Sequence, residues 1–134
     1  MRANKEYIIC KQIATYMRLQ YPDVMFHFDL AGLNLSKAQA GMMKAIQGGR
    51  GWPDFFIARP KIDLNEYGEE MFYYGLFLEI KVDGTKLWKA KGGPVNDHIK
   101  EQIDCLNKLN EKGYMAEFAI GFNDAKKQID DYLR

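Results

Sequence analysis

Leu76-Phe77-Leu78-Glu79-Ile80-Lys81-Val82 is an apolar run broken by two charges of opposite sign, two residues apart. Side chains alternate faces along a strand, so Glu79 and Lys81 project together while Leu78, Ile80 and Val82 turn to the other side. A second apolar run, residues 55–58, follows directly on Gly51-Trp52-Pro53-Asp54. If the two runs are antiparallel neighbours and Asp54 begins the first, its carboxylate reaches Glu79. Two such groups side by side repel unless a proton or a cation sits between them. An oxygen-rich pair of this kind suits a divalent ion such as magnesium. Pro53, with its fixed φ, and the flexible Gly51 set the approach of Asp54.

Working outward, Ile9, Ile13, Tyr16 and Met17 recur at helical spacing over residues 5–20, after a cap at Asn4, and Tyr21-Pro22-Asp23 stops the segment. Residues 24–28 read as a short strand, and 29–35 lose periodicity. Ser36 and Gln39 have capping-box spacing and open a second helix through Met42, Met43 and Ile46, ended by Gly48 and Gly49. Between the strands at 55–58 and 75–82, residues 59–74 carry Pro60, Asn65, Gly68 and four acidic side chains, and read as an extended hairpin loop. Asn96 or Asp97 caps a third helix with Ile99, Ile103, Leu106 and Leu109 on one face, closed by Gly113. A fourth strand at 115–120 and a last helix capped by Asn123 or Asp124 complete the order. It predicts an α/β fold, a central mixed four-stranded sheet flanked by helices, with parallel neighbours at the helical crossover and antiparallel ones at the hairpin.

The 134 residues are one domain's worth of chain, so a single domain over 1–134 is expected. With 47% hydrophobic and 13% aromatic residues there is ample material for a core, which excludes general disorder. Net charge is only +1, which excludes a protein that coats nucleic acid or membranes by overall charge. Cys10 and Cys105 lie far apart in helical segments, which argues for reduced thiols and an intracellular, cytoplasmic location rather than a disulfide framework. No unbroken apolar stretch signals export or a membrane span.

Hydrolysis of a phosphodiester needs the set Asp54, Glu79 and Lys81. A metal polarises a phosphoryl oxygen and acidifies a water, while a lysine orients that water or offsets transition-state charge. Taken alone, Glu-x-Lys on a strand is a weak signal, since an exposed ion pair on a half-buried sheet explains most such triplets; the Pro-Asp at the start of the preceding strand reverses that weighting. Two further polar residues point to the same place. On a helical wheel Gln102 falls between Leu106 and Leu109, in the apolar face of its helix. A buried amide there requires a polar partner, with the active-site water or Lys81 as candidates, and His98 lies one turn earlier. Glu6 falls on its wheel between Ile13 and Met17, either completing a metal shell or favoured by the helix dipole of the first turn.

Gly51-x-Pro53-Asp54, Glu79-x-Lys81 and a helix bearing Gln102 and ending at Gly113 together resemble the VRR-NUC family, the virus-type replication and repair nucleases of the PD-(D/E)xK superfamily. The resemblance spans residues 6–122. It implies a restriction-endonuclease-like fold and a Mg²⁺- or Mn²⁺-dependent DNA endonuclease. It also implies the stand-alone form of the family, similar to Holliday-junction resolvases, acting as a homodimer and fitting a phage or mobile-element origin or a role in DNA repair. On this reading Asp54, Glu79 and the backbone carbonyl of Ile80 hold the metal with Glu6, Lys81 aligns the attacking water, and Gln102 supports the site. The acidic hairpin over 61–74 departs from the family pattern.

Charge is unevenly spread. Residues 31–61 hold Lys37, Lys44, Arg50, Arg59 and Lys61 against Asp54, a local +4, and residues 81–100 hold Lys81, Lys86, Lys89, Lys91 and Lys100 against Asp83 and Asp97, a local +3. Positive charge thus brackets both motif strands, as phosphate neutralisation requires. Lys37, Lys44, Arg50, Lys86, Lys89 and Lys91 are the expected DNA contacts. Trp88, between Lys86 and Lys89, stacks on an unpaired base or packs on its own domain. The rival class is a module that grips branched DNA or a protein without cutting; a third reading is a structural protein whose Glu79 and Lys81 merely pair.

Overall fold

The computed structural model describes residues 2–29 and 35–134, and for residues 2–4 the backbone alone. Along these residues run α1 (Arg2–Gln20), β1 (Phe26–Phe28), α2 (Lys37–Ile46), β2 (Phe55–Ile57), β3 (Lys61–Leu64), β4 (Glu70–Tyr73), β5 (Leu76–Lys81), α3 (Asp97–Glu111), β6 (Met115–Ile120) and α4 (Gly121–Leu133). Much of the aperiodic segment 29–35 lies outside the described residues.

The central sheet has the order β1-β2-β5-β6, antiparallel at β1/β2 and β2/β5 and parallel at β5/β6. The parallel pair is joined through α3, as the long connection between such strands demands. This is the mixed four-stranded α/β sheet expected. Both faces of β5 are covered. Leu76, Leu78 and Ile80 enter a core with Ile9, Ile13 and Met17 of α1 and Ala125 and Ile129 of α4. On the opposite face Phe77 packs with Leu106 and Leu109 of α3 and Ala116 of β6. By strand alternation Glu79 and Lys81 share the Phe77 face, under α3, at the C-terminal end of the strand.

Four local expectations are revised. Helix α1 begins at Arg2, so Asn4 lies within the helix rather than at its cap. Residues 59–74 are more than a loop: β3 and β4 pair antiparallel, with Ile62 opposite Phe72. Acidic residues mask the alternation there, and the turn is closed by Asn65, whose side-chain oxygen accepts the backbone N–H groups of Tyr67 and Glu69. Ile120, not Asn123 or Asp124, is the first flanking residue of α4. Strand β6 turns directly into the helix at Gly121, where φ is +83°, and Asp124 reaches back to accept the Ile120 N–H at 2.8 Å. Strand β1 is shorter than 24–28, because Val24 and Met25 precede the ladder.

The other helix starts match. Ser36 and Gln39 form the reciprocal capping box of α2, and the Asn96 side chain accepts the Ile99 N–H to cap α3. Cys10 and Cys105 are both free thiols. Among the described residues no helix is long and apolar enough to cross a membrane.

Candidate active site

The ladder between β2 and β5 pairs Phe55 with Leu78, and one step further along the same register Asp54 stands opposite Glu79. Directly opposed residues of an antiparallel pair project to the same face, so the two carboxyl groups meet where β2 starts and β5 ends. Asp54 Oδ2 accepts the backbone N–H of Ile80 at 2.8 Å, which fixes its rotamer against β5. Pro53 is buried. Gly51, at φ +78°, lies so close to α3 that a Cβ there would stand 2.6 Å from the carbonyl oxygen of Glu101. Only glycine permits both that conformation and that approach. The Gly-x-Pro-Asp motif thus presses the start of β2 against the turn of α3 that carries Gln102.

Among the described residues the buried polar or charged side chains are Glu79, Lys81 and Gln102, at 4%, 5% and 4% exposure. Charged residues are almost never this buried unless paired or functional. The three interact with one another. Gln102 Nε2 donates to Glu79 Oε1 at 2.6 Å, and Lys81 Nζ stands 3.6 Å from the same oxygen. The partner of the buried amide is therefore Glu79, rather than Lys81 or a water. Gln102 Nε2 also lies 3.3 Å from His98 Nε2, one helical turn away, so His98 braces the amide when that ring nitrogen is unprotonated.

The electrostatics are those of a crowded, desolvated acid pair. Burial pushes the Asp54 carboxyl up to about 6, opposed mainly by the Ile80 N–H. Burial and then the charge of Asp54 push Glu79 well above the ordinary range, with Lys81 opposing. Glu79 Oε2 and Gln102 Oε1 are buried without a hydrogen-bond donor. When both acids are ionised neither can donate to the other, so a proton or a cation must lie between them.

A cavity of about 1140 Å³ opens over this pair. Asp54, Glu79, Lys81, Gln102, His98 and Glu6 all line it, so the sequence-predicted catalytic residues are brought together. Glu6 comes from α1, across the sheet end from α3. Among the described residues no three His, Cys, Asp or Glu side chains gather closely enough to cage a metal by themselves. Of the expected DNA contacts, Arg50 and Lys86 stand on the cavity wall, Arg50 in an exposed ion pair with Glu101 at 3.7 Å. Lys37 and Lys44 lie on α2, which has no buried residue, and Lys89 and Lys91 lie in an exposed turn bridged by Trp88 and Pro94. These four are outside the cavity. Trp88 is 56% exposed.

Sequence reasoning missed Asp29. Its N–H donates to the Asp54 carbonyl at 2.7 Å, continuing the β1/β2 ladder past Phe28, and it lines the same cavity. Its position beside Asp54 depends on strand register, which no local pattern reveals.

The β1-β2-β5-β6 sheet flanked by helices is the α/β, restriction-endonuclease-like fold expected, with Asp54 at the start of β2 and Glu79 and Lys81 at the end of β5. The chain shares that fold with a solved structure described as a "VRR_NUC domain protein", at a TM-score of 0.61 and 20% sequence identity, over 96% of this chain and 88% of that one. No protein-family model and no curated protein matches the chain. At this identity the likeness speaks for the fold, which is the one implied by the sequence motifs.

Proposed function

We propose that the chain is a single-domain nuclease of the VRR-NUC kind: a divalent-metal-dependent DNA endonuclease that hydrolyses phosphodiester bonds, with branched DNA such as Holliday junctions as substrate. The observation that carries this reading is the Asp54–Glu79 acid pair, half-buried at Asp54 and buried at Glu79, with Lys81 one pleat along and Gln102 bound to Glu79. A surface ion pair would not need three buried polar groups, and an inert core would not leave a carboxylate oxygen without a donor.

The residues present fit a divalent cation. The acids are oxygen ligands of the hard type that Mg²⁺ and Mn²⁺ prefer, and Glu79 Oε2 is buried without a hydrogen-bond donor. Asp54, Glu79 and the backbone carbonyl of Ile80 would hold it, with Glu6 approaching from α1. When bound, the ion supplies Lewis-acid polarisation of the phosphoryl oxygen and lowers the pKa of a coordinated water.

The chain's own groups do the rest. Lys81, held by Glu79, orients the attacking water by its ammonium donors and offsets charge that builds on the phosphoryl oxygens. Gln102 keeps Glu79 in one rotamer, so the carboxylate is aimed before substrate arrives. Arg50 and Lys86 neutralise phosphates at the cavity wall, and Lys37, Lys44, Lys89 and Lys91 extend the contact outward. Attack in line leaves 5′-phosphate and 3′-hydroxyl ends. A homodimer sets two such sites against two strands, the arrangement a junction requires.

The test is a panel of labelled duplex, flap and four-way-junction DNA incubated with Mg²⁺, Mn²⁺ or EDTA. Metal-dependent nicking, greatest on the branched forms, is expected. Binding without nicking under every metal condition overturns the nuclease reading in favour of a branched-DNA-binding module.

A further inference from the structure

A second cavity, of about 380 Å³, adjoins the catalytic one and lies along α1. The two share Glu6, Asp29 and Asp54, so the second opens beside the acid that pairs with Glu79. We infer that this cavity receives one unpaired nucleotide of the strand being cut, next to the scissile phosphate; the inference rests on the nuclease reading above.

The lining has the chemistry of a nucleotide site. Phe28 and Cys10 give it an apolar floor. Tyr7, half exposed at the rim, presents a ring on which a base can stack. Lys11 and Arg18 follow Tyr7 by four and eleven residues, which puts all three on one face of α1. Both cations are exposed and line the same cavity. They are placed to take the phosphates of the strand away from the carboxylates, while the base turns inward. The complementarity is therefore graded: apolar and aromatic for the base, cationic for the backbone, and continuous with the catalytic acids.

Size sets the occupant. The volume is near the lower end of the ~300–1,000 Å³ typical of small-ligand sites, room for a single base and its sugar. A base inside a duplex is stacked and paired, and must be taken out of the stack to enter such a pocket. Strands already unpaired beside the cleavage point avoid that cost. The consequence is a preference for flaps and frayed branch points over continuous duplex, built into α1 rather than into the basic segments around residues 31–61 and 81–100.

The experiment places 2-aminopurine at the unpaired position nearest the branch of a flap and follows its fluorescence on binding. The protein carries Lys81→Ala, so that cleavage does not intervene. Quenching is expected, lost in an added Tyr7→Ala and kept in Tyr7→Phe. Flap affinity should fall about 10-fold in Tyr7→Ala, and further with Lys11→Glu and Arg18→Glu, while duplex affinity is little changed by Tyr7→Ala. Unchanged quenching in Tyr7→Ala, or equal loss of flap and duplex binding, overturns the inference even if the wild-type protein cuts DNA. A protein that neither binds nor cuts any of these DNAs overturns the nuclease reading as well.

Discussion

The side-chain amide of Gln102 on α3 donates a 2.6 Å hydrogen bond to Oε1 of Glu79 on β5, joining a helix to the central strand at the one place where both carry a buried polar group. The bond fixes the carboxylate but leaves Gln102 Oε1 without a donor, so the helix face gives up packing quality for aim.

Gln102→Leu separates those two effects. Leucine suits the neighbourhood of Leu106 and Leu109, so thermal stability should hold or rise, while cleavage falls by about 10- to 100-fold as Glu79 loses its brace. Melting curves and initial nicking rates on the same preparations provide the check. A leucine variant of full activity would return Gln102 to a packing role.

Lys81→Ala tests the division of labour within the motif. The amine is buried beside Glu79 and away from the outer lysines, so its loss should remove cleavage and leave junction binding nearly intact. Gel-shift and nicking assays on one four-way junction suffice. Parallel loss of both would make Lys81 a phosphate clamp.

A pH dependence follows from the acid pair. Asp54 is pushed up to about 6 and Glu79 well above its usual range, so the folded protein binds these protons more tightly than the unfolded chain. The stability they contribute is present below the ordinary carboxyl pKa near 4 and is lost as pH rises through about 6 and beyond. In EDTA the melting temperature should therefore decline from about pH 5 to about pH 8, and Asp54→Asn should flatten the decline. Mg²⁺ should restore stability at the upper end, where it replaces the proton. The same decline in Asp54→Asn would refute the assignment.

Two glycines give opposite expectations. Gly51→Ala places a Cβ 2.6 Å from the Glu101 carbonyl at a left-handed φ, and should both destabilise the protein and reduce cleavage by displacing Asp54 from Glu79. Gly41→Ala in α2 meets nothing within 4 Å and should stabilise by about 1 kcal/mol. Denaturant titrations of both variants distinguish a coupled from an indifferent position.

Much of this site was legible in the sequence because its signals are local. Alternation puts Glu79 and Lys81 on one face, helical periodicity exposes Gln102 as an intruder among leucines, and Pro53-Asp54 marks a strand start. What stayed hidden depends on register and on tertiary approach. The opposition of Asp54 and Glu79 could be stated only conditionally, Asp29 joins Asp54 only through the β1/β2 ladder, and the choice of Glu79 as the amide's partner depends on how α3 lies across the sheet. The β3/β4 ladder was obscured because its exposed faces mix acids with Ile62, Leu64 and Phe72, leaving no clean alternation to read.

On the proposed function, Asp54 and Glu79 hold a divalent cation. Titration of Mn²⁺ into the protein at about pH 8, followed by electron paramagnetic resonance of the free ion, measures it directly, since the metal should then replace the protons of both acids, which pass to solvent. Saturable uptake by the wild-type protein is expected, lost in both Asp54→Asn and Glu79→Gln. Equal uptake by the wild type and both variants would contradict it.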